Sequence, residues 1–194
     1  MARNTDDPIL PTDCANFDAP DTDFDPTCAT SYQTGPFTRL LVGNKPLVAD
    51  PSTTAGLAAA TTEITSRLAL PADDADALRL LDPLRGNMPA TAPTTVAVDG
   101  FQIPTPTLRN LPFTVSQLSD KNYEFVRTTN AGRAGHFWAL NEKFMYGGQN
   151  GIGDGKALLQ LSNVVPAEEG GLHSATGNLS YTSLFDPKRT AAPI

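Results

Sequence analysis

Two histidines, two cysteines and 21 acidic side chains are the groups in this 194-residue chain able to hold a metal or move a proton. His136, His173, Cys14 and Cys28 are too far apart for the short ligand spacings of a zinc site. Asp21-Thr22-Asp23-Phe24-Asp25 opens with oxygen ligands at alternate positions, as a calcium loop does. Its sixth position is Pro26, where the turn needs Gly, and its twelfth is Tyr32 in place of a bidentate Glu. What is left is a weak calcium contact by an acidic segment. Gly151-Ile152-Gly153-Asp154-Gly155 has the look of a phosphate loop. It has neither the following helix nor the Gly-Lys-Ser/Thr ending, and reads as a flexible inter-strand loop. Sequence order alone leaves a Ser-His-Asp arrangement open, but no Gly-x-Ser-x-Gly elbow occurs. His136 reads as a strand-edge residue and His173 as a solvated strand start. Glu168 and Glu169 read as solubilising charge in a turn rather than an acid/base pair. Trp138, the sole Trp, reads as a core or interface anchor. The expectation is a non-enzyme: no catalytic residue, no cofactor and no metal.

The elements that would carry these residues are mostly strands. Residues 1–36 form an irregular acidic arm, because Asp7-Pro8, Ala19-Pro20, Asp25-Pro26 and Gly35-Pro36 forbid long helix or central strand. Phe17, Phe24 and Tyr32 stud it. A strand follows in Thr38–Val48, with a turn at Gly43-Asn44. Ser52 to Thr54 caps a helix over Ala55–Ala69, with Leu57, Ile64 and Leu68 on one face. Asp73 and Asp74 open a second short helix through Leu81. From Thr94 the pattern is β: Val96 and Val98 alternate before the turn Asp99-Gly100, Phe101-Gln102-Ile103 continues, and Pro104 and Pro106 mark an edge or bend. Leu111, Phe113 and Val115 alternate through Leu118. Ser119 caps a helix over Asp120–Asn130, with Tyr123 and Val126 facing inward and Gly132 ending it. Phe137–Leu140 and Phe144–Tyr146 form a hairpin. A nine-residue loop with five glycines spans Gly147–Gly155. Strands through Ala157, Leu159, Leu161 and through Leu179, Tyr181, Phe185 flank the turn Pro166–Gly171. Residues 37–190 are thus one β-rich domain and 191–194 a short tail.

Composition agrees: 40% apolar, 18% charged, with 17 Pro and 15 Gly, suits a β-rich protein with many turns. The net charge is −7. Seven Asp against Arg3 place most of it in residues 1–28, and no basic cluster is present to grip phosphates. The first residues lack the apolar stretch of a secretory signal, and no window approaches a membrane span. The expected protein is soluble and made in the cytoplasm. There Cys14 and Cys28 stay reduced, although oxidation would let them close the arm.

The order of elements from Leu111 to Phe185 resembles the core of bacteriophage tail tube proteins. Asp120-Lys121-Asn122-Tyr123-Glu124-Phe125-Val126-Arg127, Phe137-Trp138 and Tyr146-Gly147-Gly148-Gln149-Asn150-Gly151-Ile152 resemble stretches in virion structural proteins of phages infecting Bacteroidota. The resemblance covers about 75 residues and none of the first 90. It implies a β-sandwich or half-barrel of tail-tube type, mainly β with one or two short helices and an extended N-terminal arm. It also implies homo-oligomeric rings, usually hexameric, that stack into a tube in the virion tail after assembly in the host cytoplasm. Its partners would be sister copies and other tail or virion proteins, with DNA passing unbound and no membrane involved. Polar residues Gln160, Ser162, Ser180 and Thr182 would face a channel, and the glycine loop and the arm would reach between rings. Two other uses suit a β-domain with an arm: a capsid decoration or head–tail connector protein, and a monomeric domain binding carbohydrate or a host surface.

Overall fold

The computed structural model describes residues 36–71, 73–88, 94–98, 101–116, 120–164, 174–183 and 186–194. The acidic arm before Pro36, both cysteines, His173, Glu168, Glu169, Phe185, Ser119 and the turns at Asp99-Gly100 and Pro166–Gly171 lie outside these residues.

The fold is mainly antiparallel β with two helices. In chain order the strands are β1 (Arg39–Gly43), β2 (Leu78–Leu81), β3 (Leu84–Gly86), β4 (Thr94–Val98), β5 (Phe101–Thr105), β6 (Thr107–Ser116), β7 (Arg133–Leu140), β8 (Phe144–Tyr146), β9 (Ala157–Val164), β10 (Ser174–Ser183) and β11 (Arg189–Ala191). The helices are α1 (Thr54–Leu68) and α2 (Asp120–Thr129). One layer runs β3-β6-β10-β9, with β6 and β10 paired over ten residues each, from Ser116 opposite Ser174 to Thr107 opposite Ser183. The other runs β2-β1-β7-β8-β11.

Strand β7 belongs to both layers. Arg133–Gly135 pair with β9, while His136–Leu140 pair with β1. At the opposite side the layers meet again: Phe37 and Gly86 exchange backbone hydrogen bonds, and the Leu84 N–H donates to the Thr38 carbonyl. Phe37 and Thr38 lead directly into β1, so the hydrogen-bonded path β1-β7-β9-β10-β6-β3 closes on itself. Inside it sits a cluster that includes Phe37, Val42, Phe113, Phe137, Leu159 and Tyr181. Gly86 and Gly177 let two rings in: a Cβ on either would strike Phe113, and one on Gly86 would also strike Phe37.

The layer holding β1 is buried on both faces. Leu40, Val42, Phe137 and Ala139 point into the enclosed cluster. Leu41, Trp138, Leu140 and Met145 point the other way and meet Ile64 of α1. This explains why Phe137–Leu140 and Phe144–Tyr146 are apolar without alternation: both faces of a covered strand must be apolar. Helix α1 begins where Thr53 accepts a hydrogen bond from the Gly56 N–H at 3.1 Å. The last residues are docked too, since β11 pairs with β8, the Ala192 N–H donates to the Lys143 carbonyl and Ile194 packs on the α1-side cluster.

Two local expectations are overturned. Asp73–Leu81 is not helical. Asp74 accepts the Asp76 N–H through its carboxylate at 2.8 Å, closing a turn, and Leu78–Leu81 pairs with β1. The acids favour the turn as much as a helix start, and the apolar leucines are better buried as an added strand. In α2 the inward residues are Val126, Thr129 and partly Phe125, while Tyr123 is exposed. At 100° per residue Tyr123 lies roughly 110° from the centre of that arc.

Candidate self-assembly surface

Among the described residues, His136 and the glycine loop take part in packing. His136 lies inside β7 rather than at its edge, paired with Gly43, and its ring stacks on Trp138 at 6.2 Å. Its Nδ1 is 2.6 Å from the Asn150 carbonyl oxygen, which can only accept, so Nδ1 carries the proton. The glycine loop is tied down instead of flexible. Trp138 Nε1 donates to the Gly148 carbonyl at 2.7 Å, the Gly147 N–H donates to Lys188, and Ile152 is fully buried. Gly147, Gly148, Gly151, Gly153 and Gly155 all have positive φ. A Cβ on Gly151 would strike the β7 backbone at Phe137, one on Gly153 Tyr181, and one on Gly155 the His136 ring. Strand β9 follows, with no helix to hold a phosphate.

Buried charge is also structural. Arg67 donates to the carbonyls of Lys45, Pro46 and Asp76 and to Glu63, whose carboxylate accepts the Val48 and Ala49 N–H groups. The pair staples the 45–49 segment and the start of β2 to α1. Arg109, buried on the enclosed face of β6, pairs with Asp186 and hydrogen-bonds Tyr181. Burial pushes the Tyr181 hydroxyl above its ordinary value of 10.0. Among the described residues no group of three or more His, Cys, Asp or Glu could hold a metal ion, and no helix is long and apolar enough to cross a membrane.

A different kind of surface occupies the outer face of β6-β10-β9. Alternation turns Leu111, Phe113, Leu159, Leu161, Leu179 and Tyr181 inward. Outward it turns the polar Asn110, Thr114, Ser116, Thr176, Thr182, Gln160 and Ser162 and the apolar Leu108, Pro112, Leu158 and Val164, with Asn178 and Ser180 partly covered. No outward residue of these three strands carries a charge. Asn110 Oδ1 accepts from Asn178 Nδ2 at 3.2 Å and from Ser180 Oγ at 2.9 Å, and Ser162 Oγ lies 3.5 Å from Asn130 Oδ1. A shallow cavity of about 380 Å³ opens on this face, lined by Asn130, Gln160, Ser162, Thr176, Gly177 and Asn178.

This face borders a strand edge that has no partner among the described residues. The Ser116 N–H donates to Pro83, toward β3, so by alternation the backbone groups of Pro112, Asn110 and Leu108 point to the same side. Strand β3 reaches only Phe113–Val115. Among the described residues nothing pairs with that side of β6 over Thr107–Pro112. Strands β4 and β5, joined to β6 through Pro106, pair with each other alone. Val96 lies opposite Ile103, and Phe101 shares the Ile103 face. Their exposures are 51%, 48% and 74%, with Leu108 at 64%. Strand identity was readable here from the alternation of Val96 and Val98; exposure was not, because the same alternation describes a strand with one buried face.

Compared with known protein families, with curated proteins and with solved structures, the chain shows no match.

Proposed function

We propose that this chain is a virion structural protein that self-assembles into stacked rings, hexameric by the family resemblance, and forms the tube of a phage tail through which DNA passes. It performs no reaction, and it works in the virion tail after assembly in the host cytoplasm. The observation that carries the reading is the β6-β10-β9 face, a wide strand surface without a single charge, bordered by an edge whose backbone groups have no partner among the described residues. Turned toward a channel, such a face offers phosphates hydrogen-bonding groups but no cation to trap them. The chain's net charge of −7 adds repulsion. An unpaired edge beside it suits extension of the sheet from copy to copy.

Negative-stain microscopy of the purified chain tests the proposal. Hollow tubes of uniform width are expected at high concentration. A species that stays monomeric throughout refutes it. Rings that do not stack, or binding only to assembled heads, would move the assignment to a connector or decoration protein. The amide- and hydroxyl-lined cavity is the one feature that favours a carbohydrate-binding domain instead. Sugar sites usually add an aromatic platform, and the exposed aromatics among the described residues, Phe101 and Tyr123, lie on neither β6, β9 nor β10.

A further inference from the structure

We infer that the β4–β5 hairpin of one copy is a donated element, whose β4 edge pairs with the open edge of β6 in a second copy. The inference rests on the self-assembly reading and names its contact. A two-stranded hairpin alone in water is marginal, yet this one has no further strand partner among the described residues and exposes Val96, Phe101 and Ile103. Four of the nine large apolar side chains exposed among the described residues fall between Val96 and Leu108. So the apolar surface is concentrated there, not scattered as on an ordinary monomer.

Three features point to a second copy as the occupant. First, donor and acceptor lengths match: β4 spans five residues, and the open side of β6 runs from Thr107 to Pro112. Second, the edges are asymmetric. Pro104 removes one N–H from β5, whereas every residue of β4 keeps its own. On β6, Asn110 and Leu108 offer both N–H and C=O, and Pro112 limits the register at the far end. Third, the usual guards are missing. Soluble proteins protect open edges with lysines or other charges, and the only charged residues from Thr94 to Ser116 are Asp99 and Arg109. Arg109 is buried on the enclosed face. The pairing is head-to-tail, since each copy gives a hairpin and accepts one through a different edge. Such an interface closes into a ring or propagates.

Sedimentation velocity on full-length chains tests this. One variant replaces residues 94–105 with a short Gly-Ser linker and has an acceptor edge only. A second, Leu108→Pro, removes an edge N–H and keeps the donor only. A third, Val96→Lys with Ile103→Lys, leaves the backbone intact and serves if either of the others fails to fold. Each is expected to keep the wild-type thermal midpoint within a few degrees and to sediment as a monomer at concentrations where the wild type assembles. Mixing the first two is expected to restore a 1:1 complex that grows no further. Wild-type monomers at every concentration overturn the self-assembly reading and this inference with it. Wild-type assembly that persists in the folded variants overturns this inference alone, as does a mixture of the first two that stays monomeric.

Discussion

Strands β7 and β4 show how one chain divides its β structure between stability and availability. Strand β7 is bonded on both sides, to β1 along one and to β9 and β8 along the other, and its Phe137–Leu140 segment is fully buried. Strand β4 has one partner among the described residues, β5, and its Thr94–Ala97 stretch is exposed. Both are rich in strand-forming residues. What separates them is the number of faces and edges that the rest of the chain covers. A strand with nothing left to satisfy can only stabilise, whereas one with open faces and an open edge is free to recruit.

The comparison can be broken at either end. Trp138→Ala should have the largest effect on stability. It empties a fully buried site and leaves the Gly148 carbonyl without its donor, so a loss of about 3–5 kcal/mol is expected in denaturant unfolding. An unchanged midpoint would mean the α1-side cluster is not part of the cooperative core. Arg67→Ala should cost about 3 kcal/mol, because the partly buried Glu63 loses its cation and the Lys45, Pro46 and Asp76 carbonyls lose their donor. The double variant Arg67→Met with Glu63→Gln should recover part of that loss, and no recovery would locate the cost in the lost carbonyl contacts. Gly86→Ala should cost about 1–3 kcal/mol by driving a methyl into the Phe37 ring and against the Phe113 Cβ. An equal cost in a Phe37→Leu background would show that the Phe37 ring is not the obstacle.

Smaller effects sharpen the same contrast. The Tyr181 hydroxyl titrates higher in the folded state than in the unfolded chain. Its contribution to stability is therefore complete below pH 10 and is lost as pH rises through the folded value. Unfolding midpoints between about pH 8 and pH 11 should fall along the alkaline limb, and Tyr181→Phe should flatten that slope. Val96→Lys with Ile103→Lys should change the stability of the fold by only about 0.5 kcal/mol or less while abolishing assembly. A large destabilisation there would mean that the hairpin supports its own chain.

Periodicity located most elements. Leu111, Phe113 and Val115 announced β6, Ser52 to Thr54 with the Leu57, Ile64 and Leu68 stripe announced α1, and the outward set Gln160, Ser162, Ser180 and Thr182 was legible as a polar face. Local signals misled where two structures share one signal. Asp73-Asp74 fits a turn as well as a helix start. Tyr123 is apolar enough to face inward, but the packing of Val126 against β9 decided the helix's rotation. The glycines of 147–155 suggested mobility, yet they are there because Phe137, Tyr181 and His136 press against a left-handed backbone.

By itself the sequence determined that this is a strand-rich chain with helical segments near Ala55–Ala69 and Asp120–Asn130, and with its charge concentrated at one end. Those properties follow from side-chain alternation, from proline and glycine placement and from counting charges, all local or additive. Only the tertiary structure decided that β7 serves two layers, that Phe37 and Gly86 close the hydrogen-bonded path, and that β4 beyond β5 and one side of β6 over Thr107–Pro112 have no strand partner among the described residues. Whether a strand's edge is satisfied depends on residues far away in the chain, and no local pattern carries that information.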